Sequence, residues 1–339
     1  MRIGLIGIGK MGLLHGGILN AMNDVEICAL VDSSKFLLGF AHNLLKIPIY
    51  TDYIQMLEQQ KPDAVVIATP VFLHVPMALE CARRGIPFFL EKPLSLNSQE
   101  ATPLIAEVEQ KNLVTMVGYM MRYSESFAKA KELLDKGVLG NLITFQSTIY
   151  VSQLFKTGKG WRYSKQKSGG GVVIGQATHL IDLLQWFMGP PQMVSAHTKH
   201  WYSQEVEDFA HAYFFFQNGV AGWMDSTWSM RHHRLLEITI EINGENGNLI
   251  VTNDYVKLYL DTPVQGLNSG WTNFMRPDLY KGVEFDVGGT YYTSQDKAFL
   301  EAVQSGQSPD SDVQNAYKVQ KIVDAIYDSA GKKGSPVSI

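Results

Sequence analysis

Residues 2–12 constrain this chain more than any other stretch. An apolar run, Ile3, Leu5 and Ile6, breaks directly into Gly7, Gly9 and Gly12. Glycines at this spacing let a strand turn sharply into a helix and let a ligand reach the backbone without Cβ hindrance. The free N–H groups at the helix start then attract an anion. Residues 25–31 read as a second strand ending on Asp32, twenty residues past Gly12. An acid at that distance accepts hydrogen bonds from ribose hydroxyls. The expected guest is a dinucleotide, held by Gly7, Gly9, Lys10, Met11, Gly12, Asp32 and Ser33. Asp32 repels a 2′-phosphate, so NAD is expected, with Lys35 the one feature favouring NADP.

A chain of 339 residues exceeds the usual size of one domain, so two are expected. The net charge of −4 gives no basic footprint for nucleic acid or an anionic membrane surface. Cys28 and Cys81, the two cysteines, fall in a strand and a helix far from metal-ligand spacing, so no metal site is expected. They read as buried thiols of a reducing compartment, and with no long apolar span the chain reads as cytoplasmic.

In the first expected domain, residues 1–121, Met11, Leu14, Ile18 and Ala21 form the inward face of a first helix. Phe36, Leu37, Phe40, Ala41 and Leu44 form that of a second. Residues 64–68 are apolar throughout, as a strand buried on both faces of a parallel sheet must be. Thr69, Pro70 and His74 follow it, and a later strand ends in Glu91, Lys92 and Pro93. The alternation predicts a doubly wound parallel sheet, with these residues at the carboxyl ends of the strands where ligands bind. Thr69, Pro70, His74, Glu91 and Lys92 join the cofactor-contact candidates.

In the second, residues 122–339, long strands predict an open, mostly antiparallel sheet, with a hairpin at Asn218 and Gly219. Residues 208–216 are apolar on both faces, which predicts a second subunit docked sheet on sheet. Gly169, Gly170 and Gly171 precede a helix over residues 172–188, on which Gly175, His179 and Asp182 share one face. That grouping marks His179 and Asp182 as catalytic candidates and the glycines as permitting close ligand approach. Residues 151–168 read as a substrate loop offering Trp161, Arg162 and Tyr163.

Together these motifs resemble those of the glucose-fructose oxidoreductase and inositol dehydrogenase (Gfo/Idh/MocA) family. The likeness is carried by Gly7, Gly9 and Gly12, the segment from Ala68 to His74, and Glu91, Lys92 and Pro93. Gly118, Tyr119, Arg122 and Tyr123, then Gly169–Gly171 with His179 and Asp182, and the ending from Ala325 continue it. The resemblance implies an N-terminal Rossmann domain, a C-terminal α/β domain whose open sheet mediates homodimers or homotetramers, and NAD as cofactor. It implies hydride transfer between the nicotinamide and a hydroxyl of a sugar, sugar derivative or cyclitol. Lys92 and His179 then flank the reacting hydroxyl, Arg122 joins Trp161, Arg162 and His179 at the substrate, and the Lys92–Pro93 peptide is expected to be cis. Many members carry an acid where this chain has Gly175; Asp182 is expected to orient His179 instead. Two rival readings are a cofactor-sensing regulator without chemistry and NAD-assisted elimination or glycoside cleavage.

Overall fold

Strand β1 (Arg2–Ile6) runs through the middle of a parallel sheet because its side chains must be covered on both faces. Its neighbours are β2 (Glu26–Val31), β3 (Ile49–Tyr50), β4 (Ala64–Ile67), β5 (Phe88–Leu90) and β6 (Thr115–Val117), in the order β3-β2-β1-β4-β5-β6. This is the doubly wound order, and it places the ends of β2, β1, β4 and β5 side by side. The structure, a computed structural model, describes residues 1–280 and 282–339. Lys281 and the side chains of Leu44 and Leu45 lie outside the described residues, and with them the expected burial of Leu44.

By contacts the chain divides into two units, one of Met1–Met120 with Gly282–Tyr317 and one of Met121–Lys281 with Lys318–Ile339. A division at residue 121 alone does not contain the return of residues 282–317 to the first unit. Its physical reason lies at β6, an edge strand whose polar groups need partners. Thr115 N–H donates to Ser308 Oγ at 3.1 Å and Val117 N–H to Ser311 O at 2.7 Å, while Thr115 Oγ1 accepts from Val313 N–H at 3.3 Å. The helix Thr290–Ser305 brings Phe299 edge-on to Phe89, with ring centroids 5.8 Å apart.

Two helix faces differ from expectation. Helix Lys10–Asn20 buries Gly12, His15, Ile18 and Leu19, while Ala21 is exposed. Helix Lys35–Leu45, capped by Ser34, buries Leu38 and Ala41 and leaves Phe36 82% and Phe40 68% exposed. Apolar spacing assigned the face, but the direction of packing on the sheet turned the aromatics outward.

The second unit holds a nine-stranded sheet. Its strands are β7 (Leu142–Tyr150), β8 (Pro191–Lys199), β9 (Phe209–Phe216), β10 (Ala221–Thr227), β11 (Glu237–Gly244), β12 (Gly247–Thr252), β13 (Tyr255–Leu260), β14 (Gly270–Met275) and β15 (Val337–Ser338). Their order is β14-β13-β12-β11-β7-β10-β9-β8-β15, antiparallel except where β10 runs parallel to β7. The hairpin at Asn218 and Gly219 joins β9 to β10, with Gly219 at φ 88°. Along β9, Ala210, Ala212, Phe214 and Phe216 are buried, whereas Tyr213 and Phe215 are each 40% exposed. One face of this strand is therefore covered within the unit and the other is not.

Candidate active site

In the first unit the expected cofactor residues lie along one edge of the sheet. Gly7, Asp32, Ala68 and Glu91 each follow the last residue of β1, β2, β4 and β5. Ladder bonds continue through them: Gly7 N–H to Val31 O at 2.8 Å, Ala68 N–H to Ile6 O at 2.8 Å and Glu91 N–H to Ile67 O at 2.9 Å.

The three glycines of the turn have separate reasons. Gly7 has φ 90°, and a Cβ there would lie 2.7 Å from Ala68 O. A Cβ on Gly12 would overlap Gly7 O. Around Gly9 there is open space, with nothing within 4 Å of such a Cβ. Gly9 also caps helix Lys10–Asn20 without a side-chain bond, so N–H groups of the first turn, Lys10 and Met11 among them, face an uncrowded surface. Asp32 ties the turn together, accepting from Ile8 N–H at 2.9 Å through Oδ2 and from Ser34 N–H at 2.8 Å through Oδ1. Each oxygen keeps a lone pair for a hydroxyl donor. The open backbone at Gly9, the uncapped helix start and this carboxylate fit a dinucleotide.

Around Lys92 the polar groups are tightly engaged. The Lys92–Pro93 peptide is cis. His74 is buried, not open to a ligand: Nδ1 lies 2.7 Å from Pro93 O and Nε2 2.9 Å from Thr69 O. Burial lowers its pKa. The two carbonyls oppose that pull, and the ring clamps the turn after β4 to the turn after β5. Glu91 is buried too, and its Oε1 meets His15 Nε2 at 3.0 Å while Oε2 accepts Lys92 N–H at 3.1 Å. His15 and its other partner, Asp296, were not among the sequence candidates. A polar side chain on the inward face, three residues past Gly12, was the available signal for His15; nothing in sequence joins it to Asp296.

In the second unit His179 lies buried in the first turn of helix Thr178–Met188, which follows a π-helical turn over Val173–Ala177. Asp182 gives its carboxylate to Arg122 rather than standing as a dedicated partner of the histidine. Oδ2 accepts from Nε at 2.8 Å and Oδ1 from Nη2 at 2.7 Å, a bidentate pair with Arg122 also over the Trp186 ring at 5.3 Å. Burial pushes the Asp182 carboxyl up, and Arg122 opposes it. Arg122 itself is buried, so the expected substrate ligand is one half of an internal ion pair. A guanidinium this deep requires that partner.

The glycine run is explained internally as well. A Cβ on Gly170 would overlap the Tyr327 hydroxyl, and one on Gly171 the main chain of Glu207. Glu207, buried, accepts from Gly171 N–H at 2.9 and 3.0 Å, from Val173 N–H at 3.0 Å and from Tyr327 Oη at 2.9 Å. These glycines admit the chain's own phenol and the main chain of Glu207 at the start of the helix that bears His179. Trp161, Arg162 and Tyr163 form a single 3₁₀ turn, with Arg162 over the Trp161 ring at 4.6 Å. Tyr163 meets Trp228 edge-on at 5.7 Å, and Trp228 Cζ3 lies 3.4 Å from the Cβ position of Gly175. An indole thus stands beside Gly175.

Residues 1–119 match the oxidoreductase family described by its NAD-binding Rossmann fold, and residues 127–250 match the GFO/IDH/MocA C-terminal domain. The chain belongs to the GFO/IDH/MocA oxidoreductase family. It is an NAD-binding oxidoreductase. Levoglucosan dehydrogenase of Pseudarthrobacter phenanthrenivorans is 25% identical over 319 residues, 84% of this chain and 82% of that protein. Myo-inositol 2-dehydrogenase of Thermotoga maritima is 24% identical over 316 residues, 91% of this chain and 90% of that one. The solved levoglucosan dehydrogenase in complex with NADH and levoglucosan superposes with a TM-score of 0.89 at 25% identity, covering 100% of this chain and 99% of that one.

Proposed function

We propose that this oxidoreductase oxidises a secondary hydroxyl of a sugar, sugar derivative or cyclitol, with Lys92 as the principal proton-transfer group. The observation carrying the reading is the engagement of Lys92 at the carboxyl end of β5. Its main chain is held by Glu91 on one side, and the Pro93 carbonyl by His74 on the other. A solvated surface lysine has no need of such anchoring. The substrate class follows the named activities of the relatives, levoglucosan and inositol dehydrogenases.

Bound NAD supplies the hydride acceptor. Gly7, Gly9, Lys10, Met11 and Gly12 would hold its pyrophosphate through main-chain N–H groups, Asp32 and Ser33 would hold its ribose, and Thr69 and Pro70 would contact it at the strand ends. Lys92 accepts the hydroxyl proton as the carbon loses hydride, which a general base must do for the carbonyl to form. His179, the titratable group of the second unit's helix start, shares the proton work. Within the second unit Trp228 stands beside Gly175, and Asp182 binds Arg122. Trp161 and Arg162 offer a stacked platform and a donor fork to substrate hydroxyls. The second unit, carrying the substrate loop and an open sheet face, supplies substrate binding and assembly. We place the protein in the cytoplasm as a homodimer or homotetramer, a reading supported by the buried free thiols Cys28 and Cys81 and the exposed Tyr213 and Phe215. Among the described residues no helix is long and apolar enough to cross a membrane.

A panel of sugars, amino sugars and cyclitols incubated with NAD tests the reading. NADH is expected to accumulate one-to-one with oxidised product. Product forming while NADH stays flat would replace dehydrogenation by cofactor-assisted elimination. Tight NADH binding without turnover of any panel member would favour a sensor.

A further inference from the structure

His15 is wholly buried in the first unit, between two carboxylates. Asp296 places Oδ1 and Oδ2 at 2.8 and 2.9 Å from Nδ1, and Glu91 places Oε1 at 3.0 Å from Nε2. A carboxylate at each nitrogen asks the ring to donate in both directions, so it carries both N–H protons. Burial would pull the imidazole down, but Asp296 and Glu91 push it up to about 10. Glu91 then uses its second oxygen to accept Lys92 N–H at 3.1 Å. A continuous path therefore runs from Asp296 on helix Thr290–Ser305, through His15 on helix Lys10–Asn20, to the main chain of Lys92.

Holding helices to a sheet does not require such a cluster. Two carboxylates around one imidazolium leave net negative charge in an apolar setting, against Phe89 at 4.9 Å and Tyr292 at 6.4 Å between ring centroids. Apolar side chains of similar volume commonly pack at least as stably as buried ions. What the ions add is direction: Glu91 cannot rotate off Lys92 without breaking a charged hydrogen bond to His15. Gly118 contributes by leaving room, since a Cβ there would lie 3.2 Å from Glu91 Oε2.

We propose that His15 and Asp296 are positioning residues for Lys92, acting through Glu91 to fix the main chain from which its amine extends. The proposal rests on the reading that Lys92 transfers the proton. Full-length His15→Gln and Asp296→Asn variants are compared with the parent by hydrogen exchange of the peptide covering residues 91–95, by NADH affinity, and by kcat and KM. Exchange in that peptide is expected to rise at least tenfold while β1 and β4 keep their protection. NADH affinity is expected to stay within threefold, and kcat to fall at least tenfold with KM within threefold. The double variant should be no slower than the worse single one, because both residues act along one path. Asp296→Glu, which keeps the charge, should recover most of the loss. Exchange and kcat both within twofold of the parent in cooperatively melting variants would overturn the proposal, as would a loss confined to melting temperature. Should His15→Gln fail to fold, Asp296→Asn retains the imidazole against Glu91 and is read by the same criteria. If the parent oxidises no carbohydrate, the proton-transfer reading fails separately, and unchanged exchange at residues 91–95 still rejects the tether.

Discussion

At the scale of single residues, a glycine in this chain announces close approach without saying of what. A Cβ on Gly9 would have nothing within 4 Å among the described residues, whereas the space at Gly170 and Gly171 is filled by Tyr327 and Glu207. The sequence cannot separate these cases, because Glu207 lies 36 positions beyond Gly171 and Tyr327 lies still farther along the chain from Gly170. Asp182 shows the same limit. Its spacing three residues past His179 suggests a catalytic partner, yet both its oxygens bind Arg122, sixty positions earlier. Asp182→Ala should therefore leave an uncompensated guanidinium in the interior and cost about 3–5 kcal/mol of stability. Chemical denaturation measures this directly. A variant as stable as the parent but catalytically impaired would instead return Asp182 to the role of orienting His179.

Elements were legible where their period was unbroken. The wholly apolar β4 and the helix bearing Phe36 and Ala41 both form where the sequence places them. Which face a helix turns inward was less legible, since helix Lys10–Asn20 buries a histidine that apolar spacing passes over. That histidine gives this element a pH signature. The His15 pKa, about 10 when folded, stands above its ordinary value of 6.5. A raised pKa of this kind contributes stability that is complete below pH 6.5 and is lost as pH rises toward 10. The charged groups facing the ring are Glu91 and Asp296, and burial pushes both the Asp296 carboxyl and the neighbouring Tyr292 phenol up. Stability of the parent is expected to fall through that window by on the order of 1 kcal/mol per pH unit, and His15→Gln to flatten the slope. A parent curve without slope between these pH values would contradict the charged triad.

For the whole molecule, the order of the glycine turn, Asp32 and the strand ends makes the doubly wound unit legible, and the long strands of the second half make the open sheet legible. The return of residues 282–317 to the first unit was hidden, because it depends on an edge strand finding partners nearly two hundred positions away. The sheet of the second unit carries the prediction that belongs to this scale. Tyr213→Glu with Phe215→Glu places two charges on its uncovered face, and light scattering should then report a monomer, whereas the parent is expected to be a dimer or tetramer. An already monomeric parent would remove sheet-on-sheet assembly. Hydride transfer is expected to depend on Lys92, which is measured by comparing the parent with Lys92→Ala on the best carbohydrate substrate while NADH is monitored. Lys92→Ala is expected to bind NADH as the parent does and to form none from NAD and substrate; turnover at the parent's rate would rule out Lys92 as the proton-transfer group.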